Sequence, residues 1–196
     1  MARSLFKNRI VGSIINARHC MKNFLPFRAL AGMACLMFAL GQANGELKIG
    51  DPAPPLQVGK WIQGEPVNGF DTNHIYIVEF WATWCGPCRE SIPHMNALWQ
   101  KFKDKGVIVI GQDLWDTDRD VSPFVKRMGA QMTYRVALDD KSQDPDGFVA
   151  TRWWKRKVNN HTIPHAFVIN RQGRIVWSGH PMELNEQLLN RILSVR

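Results

Sequence analysis

Apolar and polar positions alternate in two distinct rhythms along this chain. Ile75-Tyr-Ile-Val-Glu-Phe-Trp81 is apolar, β-branched or aromatic at all but one position, the pattern of a strand buried on both faces. From Pro87 to Lys103 the apolar residues Ile92, Met95, Leu98, Trp99 and Phe102 fall at helical spacing, and Gly106 supplies a stop. Val107–Gly111 predicts a second buried strand, Arg119–Met128 a helix ended by Gly129, and Tyr134–Leu138 a third strand. Phe148–Val158 reads as a short helix. Ala166–Asn170 and Arg174–Trp177 predict a hairpin around Arg171-Gln-Gly173, and Leu184, Leu188, Leu189 and Ile192 a closing amphipathic helix. Residues 46–72, rich in Pro and Gly, predict an irregular lead-in with short strands. This order is that of an α/β fold with a mixed central sheet flanked by helices. Loops are short, so residues 44–196 are expected to form one domain.

Charge is divided unevenly at residue 44. The chain has 196 residues and a formal charge of +8, which by itself suggests an acidic partner. Residues 1–43, however, hold six Lys/Arg and no Asp or Glu, leaving 19 basic against 17 acidic residues from Asn44 onward. A nucleic-acid footprint on the folded body thereby loses its main support, and no nucleic-acid partner is expected. Lys22 and Arg28 precede the apolar run Ala29–Leu40, which is followed by the small residues Gly41 and Ala43. That is the layout of a signal peptide over residues 1–43, with cleavage expected after Ala43 and Met21 as an alternative start. Twelve apolar residues at 1.5 Å rise are too few to cross about 30 Å of hydrocarbon. The body is therefore expected outside the cytoplasm, in a periplasm or cell envelope, with tethering if the leader is not removed.

Cysteine usage then simplifies. Cys20 and Cys35 belong to the leader, so Cys85 and Cys88 are alone in the body. One close pair in an exported domain is no disulfide framework and needs its own chemistry. Trp84-Cys85-Gly86-Pro87-Cys88 stands where a predicted strand ends and a helix begins. There the first backbone N–H groups lack partners and the helix dipole is positive, so a Cys85 thiolate is stabilised and its pKa falls from about 8.5 toward about 7 or below. Cys88 lies three residues on, on the same helix face, within reach of a disulfide. Pro87 is tolerated in the first helical turn and stiffens the ring between the sulfurs. Gly86 leaves room for a second sulfur-bearing chain. The implied reaction is attack by Cys85 on a substrate disulfide, then release by Cys88. The competing reading is half a zinc site, for which no second cysteine pair exists and only His161 and His165 could serve.

Two further features accompany the cysteines. Glu79 interrupts an otherwise apolar strand six residues before Cys85, and a buried carboxyl there would have a raised pKa and could exchange protons with Cys88. A salt bridge or a solvated edge position is the alternative. Ile163-Pro164 precedes a strand; if this bond is cis, the backbone of Ile163 is left free to pair with an extended substrate segment.

Together, Ile77-Val-Glu-Phe-Trp-Ala-Thr-Trp-Cys-Gly-Pro-Cys-Arg-Glu-Ser-Ile-Pro93, Thr162-Ile-Pro-His-Ala-Phe-Val-Ile-Asn170 and Gly173-Arg-Ile-Val-Trp177 resemble the thioredoxin superfamily, specifically its exported TlpA/ResA-like thiol–disulfide oxidoreductases. The resemblance implies a thioredoxin fold with an N-terminal extension and an insertion before a cis-proline loop. It implies Cys85 as nucleophile, Cys88 as resolving thiol, Pro164 as the cis proline facing them, and Pro93 as a helix-kinking proline. It places Glu79 at the buried acid of thioredoxin, where many TlpA-like members carry Asn. Trp84, Gly86, Pro87, Ile163 and Pro164 become the expected substrate-binding surface. Several relatives place Glu three residues after the second cysteine, where this chain has Ser91, so a proton relay would lean on Glu79. No cofactor is implied beyond the redox-active Cys85–Cys88 disulfide. The expected partners are protein thiols and disulfides and a membrane electron donor, with the protein itself a monomer. Gly-Pro between the cysteines and Ile before Pro164 resemble reducing thioredoxins, so the expected direction is reduction of protein disulfides. A copper- or other metal-delivery module on the same fold, and a thiol peroxidase, remain as alternatives. Asp113, Asp116, Asp118 and Asp120 are expected to be solvated or to cap a helix, the basic and aromatic run Arg152–Lys157 to be a helix with a solvated face, and His94 to lie on the surface.

Overall fold

A computed structural model describes residues 46–153, 155 and 162–195. The leader, with Met21, Cys20, Cys35 and the cleavage position, lies outside the described residues, as do His161 and three of the six residues of the Arg152–Lys157 run. Six strands form one mixed sheet: β1 (Val58–Gln63), β2 (Ile75–Trp81), β3 (Val107–Asp113), β4 (Arg135–Asp139), β5 (His165–Ile169) and β6 (Ile175–Gly179), in the order β1-β4-β3-β2-β5-β6. β2, β3 and β4 run parallel, while β1, β5 and β6 are added antiparallel. Four α-helices accompany them: α1 (Gly86–Phe102), α2 (Asp118–Met128), α3 (Phe148–Arg152) and α4 (Glu186–Ser194).

β2 and β3 are buried at every position, as expected of strands covered on both faces. The crossovers β2-α1-β3 and β3-α2-β4 step the same way across the sheet, so their common right-handedness puts α1 and α2 on one side. Ile77, Trp81 and Val109 pack there against Ile92 and Met95 of α1 and Phe124 of α2, and Leu189 of α4 joins them. Tyr76, Val78, Phe80 and Phe167 face the opposite way and pack under Val149, Ala150 and Trp153. α3 is held by a side chain from the sheet: the Asp139 carboxylate accepts from the backbone N–H groups of Val149 and Ala150, each at 2.7 Å. Burial pushes the Asp139 carboxyl up to about 6, while those N–H groups pull it down. Gly147 opens this turn at φ 94°, and a Cβ there would lie 2.2 Å from Asp139 Oδ2.

The lead-in carries one of the short strands expected within it: Val58–Gln63 is an edge strand, bulged twice against β4. Gly59 and two polar residues break its alternation, so pairing with a strand about 75 residues away, rather than local pattern, makes it a strand.

Candidate active site

The site lies where β2 ends beside the start of β5. Register pairs Phe80 with His165, so the segment preceding β5 ends next to the loop that follows β2. The loop Ala82–Cys85 leads into α1, whose N-cap is Cys85. The Cys88 N–H donates to Cys85 Sγ at 3.2 Å, so one orphan donor of the first helical turn is aimed at the sulfur. The two cysteines form a disulfide with S–S 2.01 Å and Cα–Cα 5.2 Å. Cys85 retains 5% of its surface and Cys88 none, so only one sulfur can be approached from outside. Trp84 is 62% exposed beside it, its ring 5.8 Å from that of Trp115. A Cβ built on Gly86 meets nothing within 4 Å, which is the open space expected for an incoming chain. Pro87 is exposed in the first turn of α1. Pro93 sits inside α1, which continues past it to Phe102.

Ile163-Pro164 is cis, and the Ile163 carbonyl oxygen lies 3.8 Å from Cys85 Sγ. The carbonyl and the attackable sulfur therefore share one surface patch. His165, which follows, points its Nε2 to Ser178 Oγ at 2.7 Å. Among the described residues, no three His, Cys, Asp or Glu side chains converge as a metal site would require.

Beneath the helix, Glu79 is fully buried on the central strand. Its Oε1 accepts from Ser91 Oγ at 2.9 Å, and its Oε2 from Tyr134 OH at 3.2 Å. Neither a salt bridge nor an edge position describes it. Burial pushes its carboxyl up to about 7, with the two hydroxyl donors pulling it down. Burial and the neighbouring Glu79 raise the Tyr134 hydroxyl well above its ordinary value. Ser91 Oγ also lies 2.9 Å from the Cys88 carbonyl oxygen, so a single side chain touches both the carboxyl and the cysteine turn. Tyr134 reaches Glu79 because β3 carries Gly111 beside it; a Cβ there would meet Tyr134 Cε2 at 3.0 Å and Trp81 Nε1 at 3.1 Å.

Sequence reading did not find Tyr134, and it placed Asp113 wrongly. Asp113 is 1% exposed rather than solvated, because the chain turns back over it after β3. Its Oδ1 accepts from the N–H groups of Trp115 and Asp116, at 3.0 and 2.7 Å. Burial and then the adjacent Asp116 carboxylate push Asp113 up to about 8. Asp116 Oδ2 in turn accepts from the Thr83 N–H at 2.6 Å and so fixes the loop that carries Trp84. Asp120 caps α2 reciprocally with Thr117, as expected. His94 is half-buried and bonds the Leu184 carbonyl at 2.8 Å, tying α1 to the turn before α4.

The AhpC/TSA family profile matches residues 49–178. The chain belongs to that family. It is 32% identical over 147 residues to the thiol-disulfide oxidoreductase ResA of Bacillus thuringiensis, covering 73% of this chain and 76% of the relative. It is 29% identical over 144 residues to the protein FixW of Rhizobium leguminosarum, covering 72% of this chain and 65% of FixW, a little under two thirds of that relative's length. A Chlorobium tepidum crystal structure assigned to DsbE, a thiol:disulfide interchange protein, superimposes with a TM-score of 0.55 at 29% identity, covering 76% of this chain and 98% of that one. The thioredoxin domain of a Bacteroides vulgatus thiol-disulfide oxidoreductase, at 21% identity and TM-score 0.60, shares the fold. This AhpC/TSA member is a thioredoxin-like, ResA-like thiol–disulfide oxidoreductase carrying a Cys85–Cys88 disulfide.

Proposed function

We propose that the protein works outside the cytoplasm as a reductant of protein disulfides. The observation that carries this reading is the unequal environment of the two sulfurs: Cys85 accessible, receiving an N–H from the helix start and lying against the Ile163 carbonyl, and Cys88 sealed beneath it. In the reduced protein the Cys85 thiolate attacks one sulfur of a substrate disulfide. A bond forms between Cys85 and that sulfur, the substrate disulfide breaks, and its other sulfur leaves as a thiolate. Cys88 then loses its proton and attacks Cys85 Sγ. The Cys85–Cys88 bond closes, the substrate's remaining sulfur departs, and two electrons have passed to the substrate.

Glu79 is the proton acceptor for Cys88. A carboxyl titrating near neutrality is half ionised where it is needed, and Ser91 places it against the turn that carries Cys88. Trp84, Gly86, Pro87 and Ile163 form the substrate-binding patch, with the buried cis Pro164 setting the turn that leaves the Ile163 backbone available to an extended segment. Return to the dithiol form requires a donor dithiol, held by a membrane partner because extracytoplasmic compartments oxidise thiols. The basic, apolar and small-residue leader over residues 1–43 supports export, and no helix among the described residues is long and apolar enough to cross a membrane. The reducing direction is supported by Gly86-Pro87 and by Ile163 before the cis proline.

Trapping tests the reading. Reduced wild-type protein should reduce the disulfides of insulin, and Cys88→Ser should accumulate covalent adducts through Cys85 with extracytoplasmic proteins. Failure of both reduction and adduct formation would remove the proposed activity.

A further inference from the structure

Next to Trp84 the surface dips into an open cleft of about 450 Å³, walled by Thr83, Trp84 and Phe124 and rimmed by Arg89, Arg119 and Arg127. Arg89 comes from α1 and the other two from α2. Among the described residues, no carboxylate lies within 4.0 Å of any of the three guanidinium groups, since the ion pairs involve other cations. Asp120 also lines the cleft, but its Oδ2 is already engaged by the N–H and the hydroxyl of Thr117 at 3.1 and 2.6 Å. Arg127 lies over the Phe124 ring at 5.9 Å, which keeps its planar fork on the cleft rim.

Three cations line one concavity without a close ion pair, and the one carboxylate among the lining residues, Asp120, is held down in pKa first by its hydrogen bonds with Thr117 and then by Arg119, which leaves the balance of the cleft cationic. The body as a whole is close to neutral, with 19 basic and 17 acidic residues from Asn44 onward, so the concentration is local. Arginine forks above an apolar floor are suited to carboxylates presented by a peptide. The cleft also shares its wall, Thr83 and Trp84, with the loop that ends at Cys85. The Arg89 N–H bonds the Cys85 carbonyl at 3.2 Å, so Arg89 stands one helical turn, about 6 Å, from the reacting residue. An extended peptide advances about 3.3 Å per residue and covers that distance in about two residues.

We propose that this cleft is a docking subsite for an acidic segment of the substrate protein, with Asp or Glu side chains about two to four residues from the cysteine that Cys85 attacks. The inference rests on the disulfide-reductase reading above and names the class of substrate it selects. An anionic membrane is the other surface three arginines could meet; the concave shape and the wall shared with the sulfur favour a peptide.

The test uses the reduced protein and three synthetic peptides, each closed by one internal disulfide and differing only in flanks of Asp/Glu, Asn/Gln or Lys. At low ionic strength the acidic peptide should exchange about tenfold faster than the neutral one, and the Lys peptide more slowly than either. In about 0.5 M salt the spread should collapse to about twofold, since the screening length there is only a few ångströms. In R119E/R127E, its fold checked by thermal melting, the order of acidic and Lys peptides should reverse. If the variant does not fold, the salt series on the unaltered protein decides alone. Equal rates for all three peptides, or a preference that salt does not weaken, would overturn the subsite while leaving the reductase reading intact. No exchange with any peptide would overturn both. Arginine-dependent binding to phosphatidylglycerol vesicles without a peptide preference would overturn it in favour of a membrane surface.

Discussion

Replacing Glu79 by Gln should flatten the pH dependence of stability of the oxidised protein. Glu79 is fully buried, and its carboxyl is pushed from its ordinary 4.5 up to about 7. A group whose pKa is raised by folding contributes its stability in full below about 4.5, where both folded and unfolded chains are protonated. That contribution is lost as pH rises to about 7, and above that the folded chain carries the whole cost of a buried charge. The gap between 4.5 and about 7, at about 1.36 kcal/mol per pH unit, amounts to about 3 kcal/mol. The amide cannot ionise, so Glu79→Gln should show none of this decline. It keeps a similar shape, and either Ser91 or Tyr134 can turn its hydroxyl to accept from the new NH₂ at a cost of about 1 kcal/mol. Asp113 and Asp139 are raised too, to about 8 and about 6, and slope the same way in both proteins, so the difference between the two profiles isolates Glu79. Denaturant unfolding at intervals from pH 4.5 to 8 measures that difference. It should be near zero or slightly against Gln at the acid end and favour Gln by about 2–3 kcal/mol at pH 8. Two parallel curves with a constant offset would mean that Glu79 holds the same protonation state in folded and unfolded chains, and that burial does not raise its pKa.

Other perturbations follow from the same contacts. Glu79→Gln should slow resolution of the mixed disulfide near neutral pH, read by single-turnover stopped flow; an unchanged rate would remove Glu79 from proton transfer. Gly111→Ala should cost about 1–3 kcal/mol in denaturant unfolding by forcing Tyr134 and Trp81 apart from β3. Asp116→Ala should cost about 1–2 kcal/mol by leaving the Thr83 N–H without its acceptor, and should slow attack on a small disulfide, whereas Asp116→Asn, which keeps an acceptor oxygen, should recover most of both.

The parts of the site that rest on local sequence were legible in advance. β2 and β3 announce themselves because strands buried on both faces are apolar throughout, and α1 because its apolar residues recur at helical spacing below a cysteine N-cap. Glu79 stood out as the one charge in β2. Its partners were harder to foresee. Ser91 is three residues beyond Cys88 and could be placed on that face of the helix, but Tyr134 is 55 residues from Glu79 and meets it only through the β3–β4 pairing. Asp113 was misread as solvated because its environment is made by a later turn of the chain rather than by its neighbours. The edge strand Val58–Gln63 was blurred for the same reason, its pairing being distant and its own alternation broken. The cis state of Ile163-Pro164 has no local signature, since cis is the minority state of X–Pro bonds.

Attack by Cys85 requires it to be an acidic thiol at the start of α1. The rate of alkylation of the reduced protein by iodoacetamide, followed across pH and assigned to Cys85 by fragment mass, measures that acidity directly. Reactivity should already be at its plateau near neutrality, with a midpoint at or below about 7 and Cys88 lagging far behind. A midpoint near about 8.5, the value of a free thiol, or equal reactivity at both sulfurs, would contradict it.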